Sequence, residues 1–507
     1  MKRISLVSML LLAVLIIVST VSAQGYNNLP GEGWWTGQQV QNVGVAASSV
    51  RIIAYDKNST QTYEATEDVG PGAAFTFTPF TSLPLAEGLQ GSAIVFADQP
   101  IKAMVNVTNN KVDNPNLGIN VGVEGGTAAG QYQGMERSSV APKLYFPLVK
   151  GGYYNNTTTF YVQNAGQVAA TFSAEFTMSN GDTHTYETPS VSPGQIAVFS
   201  VFDSDSFNLD PLASNSLDEA RKGGLIVTSD VPMAGVVMEH ATAQNPAKVV
   251  YSTRGFTAND FDSRAYAPVI KNMFYGAFTG IQVQNVNETG AIDVEVTYHV
   301  AQGPNAGETI VQRKEGIPAG TSYTFVQLAT GEEPTLLPME NLASVVIEAT
   351  GGEFVAIVNE TNSNATAGIT YSALPDRHAS HKVSAPLFKD YYYGATSGLQ
   401  IQNVGTVTAT TVIAEFSCSV IDSDAFTARS KPQEIGPGGT VLFFHPSENA
   451  DMFQAALPFE DDRANCAVSI TGDQNVVAIV NEMGVEDGYG MDFFGVDDNN
   501  YEGFNLP

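Results

Sequence analysis

An all-β chain of four tandem immunoglobulin-like antiparallel β-sandwiches is the fold class that the sequence predicts, with β-barrel-like modules as the alternative. Three observations predict it. An apolar-Gln-Asn phrase returns at Gln41-Asn42, Gln163-Asn164, Gln284-Asn285 and Gln402-Asn403, in steps of 122, 121 and 118 residues. A period of that length is one domain copied in tandem. Between the phrases, short apolar-polar alternations are separated by turn residues, and no stretch keeps a helical period. Only 15% of the residues are charged while Thr, Ser, Asn and Gly abound, which is the mix of exposed β-proteins.

The first segment reads as an export signal over residues 1–23. Lys2 and Arg3 supply the charge, Leu6 to Val18 the apolar run, and Val21-Ser22-Ala23 the small residues of a cleavage site. The mature chain then starts at Gln24. The apolar run is short for a membrane span, and no later segment is long enough to be one. Lys plus Arg is 23 against 52 Asp plus Glu, a formal charge of −29. Loss of Lys2 and Arg3 with the leader makes it −31. Such a surface repels nucleic acid and anionic membrane, because phosphate binding needs clustered cations. The expected location is therefore secreted, at the extracellular cell surface.

The third copy shows the repeat most clearly. It opens with Ala267-Pro268-Val269-Ile270-Lys271 and an aromatic pair with Gly at Phe274-Tyr275-Gly276. The phrase strand follows, with Ile281 and Val283 on one face and Gln282 and Gln284 on the other. Asn285 stands where this strand must turn, and Asn tolerates left-handed backbone angles. Val294, Val296 and Tyr298 share a face of the next strand. A turn at Pro318-Ala319-Gly320 precedes Tyr323 to Val326, and a hairpin from Val345 to Glu360 closes the unit. The other copies place Pro71-Gly72, Pro193-Gly194 and Pro437-Gly438 at the turn, where Pro fixes φ and Gly supplies φ > 0. Their closing hairpins are Ser92 to Val107, Leu225 to Glu239 and Ala467 to Glu482.

These landmarks divide the chain into repeats at 24–140, 141–262, 263–382 and 383–487, with a linker-like tail at 488–507. The joining segments, Asn109 to Lys143, Thr242 to Ala265 and Asn362 to Ser384, read equally as mobile loops or crossover strands. Pro147, Pro268 and Pro386 each lie 17 residues before their phrase Asn, and Pro507 falls where a fifth repeat would open. Two readings of the tail from Gly488 stand open: it docks on the first module of another molecule, as an internal linker does within the chain, or it folds back on its own fourth domain or stays loose. A heterologous contact of the first kind builds a filament or surface layer.

The sequence offers little chemistry. Cys418 and Cys466 both lie in the fourth repeat and are a disulfide candidate in an oxidising compartment. Aromatic clusters precede each phrase, at Trp34-Trp35, Tyr153-Tyr154, Phe274-Tyr275 and Tyr391-Tyr392-Tyr393. Recurrence favours packing, while Trp34, Trp35, Tyr391 and Tyr392 are the candidates for stacking on sugar rings. None of the six His recurs at an equivalent place, and His378 and His381 read as a polar linker. Glu460-Asp461-Asp462 and Asp497-Asp498 offer oxygen ligands of the kind Ca²⁺ takes, without the spacing of a calcium loop. No cofactor or metal is expected. Asn-x-Ser/Thr acceptors occur at Asn58, Asn106, Asn155, Asn156, Asn287, Asn359 and Asn364. Neither a nucleophile elbow, nor a phosphate loop, nor a metalloprotease helix is present.

The string Pro-apolar-Lys, aromatic-Gly, Thr/Ser-Gly, apolar-Gln-apolar-Gln-Asn-Val-Gly, closing on Val-Ala-Ile-Val-Asn-Glu, resembles a tandem module of secreted and cell-surface bacterial proteins. Pro386 to Gly405 with Val477 to Glu482, and Pro268 to Val286 with Val355 to Glu360, carry this resemblance to a VQN-type β-sandwich repeat. The second copy departs at Thr159-Phe160. The first lacks the Pro-apolar-Lys opening and has Gln38 where the others are apolar. The resemblance implies location and architecture and no activity. The sequence therefore reads as an exported, non-enzymatic structural or adhesive surface protein, a string of four sandwiches that associates with itself, other surface proteins or polysaccharide. The alternative is a carbohydrate-binding accessory protein.

Overall fold

The phrase strand of each module is a central strand, because its alternate residues face a core and both its edges find partners. The computed structural model describes residues 29–507 apart from 87, 115–118, 127, 211–215, 242–248, 328–336, 363–367, 393–394, 421–425, 445–449, 456–463, 485–498, 503 and 506–507. The leader, both carboxylate runs, His445, Asn364, Tyr393 and the first part of the tail lie outside the described residues. Strand makes up 64% of the structure and helix 4%, which makes it all-β, built of several antiparallel sheets in sandwich-like modules.

Module 3 shows the complete plan. Its phrase strand, Ala277–Asn285, pairs with Ser322–Val326 on one side and with Phe354–Asn362 on the other. A linker strand, Gly368–Ser372, extends that sheet. In the facing sheet Ile292–Gln302 pairs with Thr309–Ile317 and with Asn341–Thr350. Asn341–Thr350 also pairs with the opening strand, Arg264–Phe274. Ile281, Val283, Val296, Tyr298, Val345, Ile347 and Val358 fill the space between the sheets and are fully buried. The buried-exposed alternation of Ile292–Gln302 is what a strand with one wet face requires.

In modules 2 and 4 the closing hairpin is a single long bent element, Lys222–Ala241 and Ala464–Gly484. Its first half pairs with the opening strand, Ala141–Tyr153 or Ser380–Asp390, and its second half with the phrase strand. Module 1 differs. Its two sheets are Ala74–Phe77, Trp35–Asn42, Ile101–Thr108 and Ala129–Gln133 on one side, and Thr62–Val69, Ser48–Asp56 and Gly91–Ala97 on the other. Among the described residues it has no opening strand.

The modules do not form a string. Ala129–Gln133, Val250–Arg254, Gly368–Ser372 and Asn499–Glu502 are equivalent linker strands, each paired with its own closing hairpin. The first lies against the second, the second against the third, the third against the fourth, and the fourth against the first. Four equivalent strands in cyclic contact place the modules in a closed ring, with the linker strands along its axis. The tail's described residues dock on their own module, Asn499–Glu502 on Ile479 to Glu482 and Phe504–Asn505 on Val383-Ser384. A head-to-tail contact is made within one molecule, and a rotation that closes gives a ring rather than a filament.

Each interface uses the same parts. Gly72, Gly194, Gly320 and Gly438 all have positive φ, so the turns take the conformation that their Pro and Gly positions demand. The Gly194 carbonyl of module 2 accepts a 2.5 Å hydrogen bond from Ser92 Oγ of module 1, and the Gly438 carbonyl of module 4 accepts one of 2.7 Å from Ser344 Oγ of module 3. Gly224 of module 2 occupies the corresponding place against module 3. Apolar clusters reinforce the contacts: Val107, Met238 and Val250 between modules 1 and 2, Tyr145, Val286 and Ile357 between 2 and 3, and Tyr266, Val346, Val404 and Val477 between 3 and 4. Met104 of module 1 completes the set by packing into the core of module 4.

A Cβ at Gly224 would lie 2.6 Å from Ser322 Oγ and 2.8 Å from Gln284 Nε2 of module 3. Gly224→Val is therefore expected to part modules 2 and 3. Small-angle scattering should show a larger radius of gyration, while circular dichroism keeps the strand signal.

Candidate functional site

The polar residues that recur in every module converge on two places, the ring interfaces and the hairpin tips. The four phrase Asn residues are fully buried. Asn285 donates from Nδ2 to the carbonyls of Gly290 at 3.0 Å and Ile317 at 2.9 Å, and its Oδ1 accepts from the Asn287 amide at 3.0 Å. Asn42 binds Ala46, Val69 and Gly44 in the same way, Asn164 binds Val168, Val191 and Gly166, and Asn403 binds Thr408, Ile435 and Gly405. None of the four has positive φ. They are strand-end residues as expected, but their side chain rather than a left-handed backbone is the reason for Asn. A carboxamide is the one short side chain that gives two donors and an acceptor in a plane.

The neighbouring Gln faces outward to the preceding module. Gln41, Gln163, Gln284 and Gln402 each donate to the carbonyl of their own turn glycine, at 3.0–3.2 Å. Gln402 also donates to the Val345 carbonyl of module 3 at 3.0 Å. Gln41 Oε1 accepts from Ser384 Oγ of module 4 at 3.0 Å, so the same residue type seals the contact that closes the ring.

A buried ion pair joins the two ends of the repeat signature in modules 2 to 4. Lys150 meets Glu239 at 2.5 Å, Lys271 meets Glu360 at 2.6 Å, and Lys389 meets Glu482 at 2.7 Å. Glu239 Oε2 accepts in addition from Asn359 of module 3 at 3.1 Å. These charges are committed to one another, which is the condition for their burial. Beside them His240 is buried, with Nε2 3.1 Å from Thr159 Oγ1 and Nδ1 3.2 Å from the Ala241 carbonyl. Those partners fit a neutral ring, Nδ1–H donating to the carbonyl and Nε2 accepting from the hydroxyl. Burial pushes its pKa down to about 4. Burial also lowers that of His299.

The tips are the exposed part. Tyr154-Asn155 and Tyr275-Gly276 join the opening strand to the phrase strand, and all four residues have positive φ. Two positive φ values in a two-residue loop are the type I′ hairpin geometry, where Asn-Gly is usual. Tyr in this conformation costs roughly 1 kcal/mol. Tyr391 has the same strained backbone, φ 51°. Tyr275 is 95% exposed and Tyr154 46%, each with an edge-on aromatic neighbour, Phe274 at 4.6 Å and Tyr153 at 5.1 Å. The tips of modules 2 and 3 stand at equivalent places, between the opening strand and the phrase strand.

The stacking candidates named from sequence, Trp34, Trp35, Tyr391 and Tyr392, are all half-buried. The indole N–H groups of Trp34 and Trp35 donate to the Pro30 carbonyl at 3.1 Å and the Asn110 carbonyl at 3.0 Å. The two most exposed tip aromatics, Tyr154 and Tyr275, were not singled out; their signal was a Tyr preceding Asn or Gly between two strands. Cys418 and Cys466 are disulfide-bonded across paired strands of module 4. His378 and His381 stay apart, His381 Nδ1 lying 3.2 Å from the Gly472 carbonyl. Among the described residues no three His, Cys, Asp or Glu are grouped to hold a metal ion, and no helix is long and apolar enough to cross a membrane.

No family model matches the chain, and no curated protein matches it. The crystal structure of Thermotoga maritima 1070 is similar at 15% identity over 23% of this chain and 94% of that chain, with a TM-score of 0.18. The crystal structure of a tetra-tandem repeat in the extending region of a large adhesion protein is similar at 11% identity over 92% of this chain and 94% of that chain, with a TM-score of 0.10.

Two outcomes follow from the buried groups. Asn285→Ala leaves two carbonyls and one amide unpaired, and should destabilise module 3 by about 3 kcal/mol. Asn285→Asp should cost at least as much, since it points an acceptor at two carbonyls; hydrogen exchange across Ile292–Gln302 measures both. For His240 the unfolded state binds the proton first on acidification, because the folded pKa is the lower. Stability is therefore full above about pH 6.5 and falls as the pH drops towards 4, by roughly 3 kcal/mol in total. In His240→Gln the loss over this window should shrink, as read by urea denaturation at pH 7 and pH 4.5.

Proposed function

We propose that the chain is an exported, non-enzymatic surface protein with a structural or adhesive role, working as a closed ring that presents its hairpin tips. The carrying observation is where the recurrent polar groups go. The Gln, Asn, Lys and Glu that mark the repeat are consumed in folding modules and joining them. What is left to the solvent at equivalent positions is a strained aromatic tip. Strain kept at a surface position is a sign of use, since glycine would occupy that turn without it. Several tips on one molecule bind multivalently, which suits adhesion to a repetitive surface.

Export rests on the charged, apolar and small-residue order of residues 1–23. The disulfide between Cys418 and Cys466 is in keeping with an oxidising compartment. The acidic surface supports protein or neutral polysaccharide partners over nucleic acid. Exposed tyrosines favour one second reading, the carbohydrate-binding accessory protein, in which sugar rings stack on Tyr154 and Tyr275.

Tyr154→Ala with Tyr275→Ala is expected to lower binding to producer cells and their isolated walls at least tenfold, through lost avidity, while the melting temperature holds, since Ala carries the same backbone strain as Tyr. Equal binding by the variant and the parent sinks the adhesive role of the tips. A glycan array separates the two readings: retention of a defined neutral sugar, lost in the variant, selects the carbohydrate one.

A further inference from the structure

Module 1 carries four marks of a strand that the other modules have and that it lacks among the described residues. The first is an open edge. In modules 2 to 4 the first strand of the closing hairpin is paired on both sides, by the opening strand and by the middle hairpin. In module 1 the corresponding strand, Gly91–Ala97, pairs among the described residues only with Ser48–Asp56. Its residues are mostly half-buried, where the equivalent strand of module 3 is buried over seven successive residues.

The second mark is charge. Lys150, Lys271 and Lys389 lie on opening strands and meet Glu239, Glu360 and Glu482. The residue of module 1 equivalent to those glutamates is Val107. Third, Thr158, Thr279 and Ser397 accept from the backbone N–H of those lysines, whereas the equivalent Thr36 hydroxyl accepts from Gln38 Nε2 at 2.9 Å. Fourth, Gln38 replaces the fully buried Phe160, Ile281 and Leu399, which the opening strand helps to cover.

We propose that the open edge of module 1 is a docking site for one extended, uncharged segment of a partner protein, which adds to Gly91–Ala97 as an antiparallel strand. The edge has none of the usual protection: Gly91-Ser-Ala-Ile-Val-Phe-Ala97 has no charge, no Pro and no bulge. Strand addition gains main-chain hydrogen bonds, and side-chain pockets then select the sequence. The site continues an interface already built. Opening strands reach the next module, as Tyr266 Oη does in donating to the Val404 carbonyl at 3.2 Å, so a strand on module 1 would lie against module 2. Lining chemistry fixes the occupant. Ala93, Val95 and Val107 offer no counter-ion for a cation, so a second copy's own opening strand, with its Lys, is a poor fit. Residues 21–28 are equally poor, since Gln24 and Asn27 would stand where Ala267 and Ile270 are buried in module 3.

The probes are two peptides, a copy of Ala265 to Asn272 and the same peptide with Lys271→Leu. The uncharged peptide should bind the full chain, slow amide exchange at Gly91–Ala97, and bind about tenfold tighter than the Lys peptide. Absence of binding by either peptide, or binding with no slowing at Gly91–Ala97, overturns the proposal. So does slow exchange at Gly91–Ala97 in the free chain, whether lost on removal of residues 1–28, which assigns the edge to the chain's own segment, or lost on dilution, which assigns it to a second copy.

Discussion

Everything in this ring depends on two adjacent carboxamides buried at the end of one strand. The Asn satisfies two carbonyls and an amide of its own module, which fixes where the phrase strand stops and the next turn begins. The Gln, one residue earlier and therefore on the opposite face, holds the turn that the neighbouring module receives. A dipeptide thus couples folding within a module to registry between modules. Apolar clusters supply most of the attraction at the interfaces, but they are non-directional. The hydrogen bonds to the turn glycines specify the angle, and the angle is what lets four modules close.

The interfaces are alike without being identical, and the differences are instructive. Ser92, Gly224 and Ser344 all receive a turn, so smallness is the shared requirement and the hydroxyl is optional. Tyr145 and Tyr266 reach across to the following module, while Ser384 at the corresponding place in module 4 meets Gln41 instead. Among the described residues module 1 has neither the buried Lys–Glu pair nor an opening strand. Losing both partners together avoids the cost of leaving one charge buried alone.

Much of the module was legible in the sequence. The period-2 alternation of Ile281 and Val283 and the Pro-Gly turns are local signals, and local signals survive in a single chain. Phrase spacing counted the modules because equivalent residues must sit at equivalent places. The ring was not legible, since closure depends on a rotation per module that no residue encodes alone. Both halves of the Lys–Glu pair were visible as repeat landmarks, yet 89 residues separate Lys271 from Glu360 and nothing in the pattern joins them. Backbone conformation and side-chain bonding both favour Asn at strand ends, and a sequence pattern does not separate the two; here the side chain makes the bonds and the backbone φ is not positive. At the tips, recurrence of aromatics was read as packing, whereas type I′ turns force Tyr154 and Tyr275 outward.

Chain order ties module 1 to 2, 2 to 3 and 3 to 4 by covalent linkers, whereas module 4 meets module 1 only through surface contact. Tension applied across modules 1 and 4 therefore falls first on that closing contact. The closing contact is thus the one joint of the ring that no linker spans. In module 4, beside the closing contact, the disulfide between Cys418 and Cys466 pins two strands together and limits how far that module can unravel.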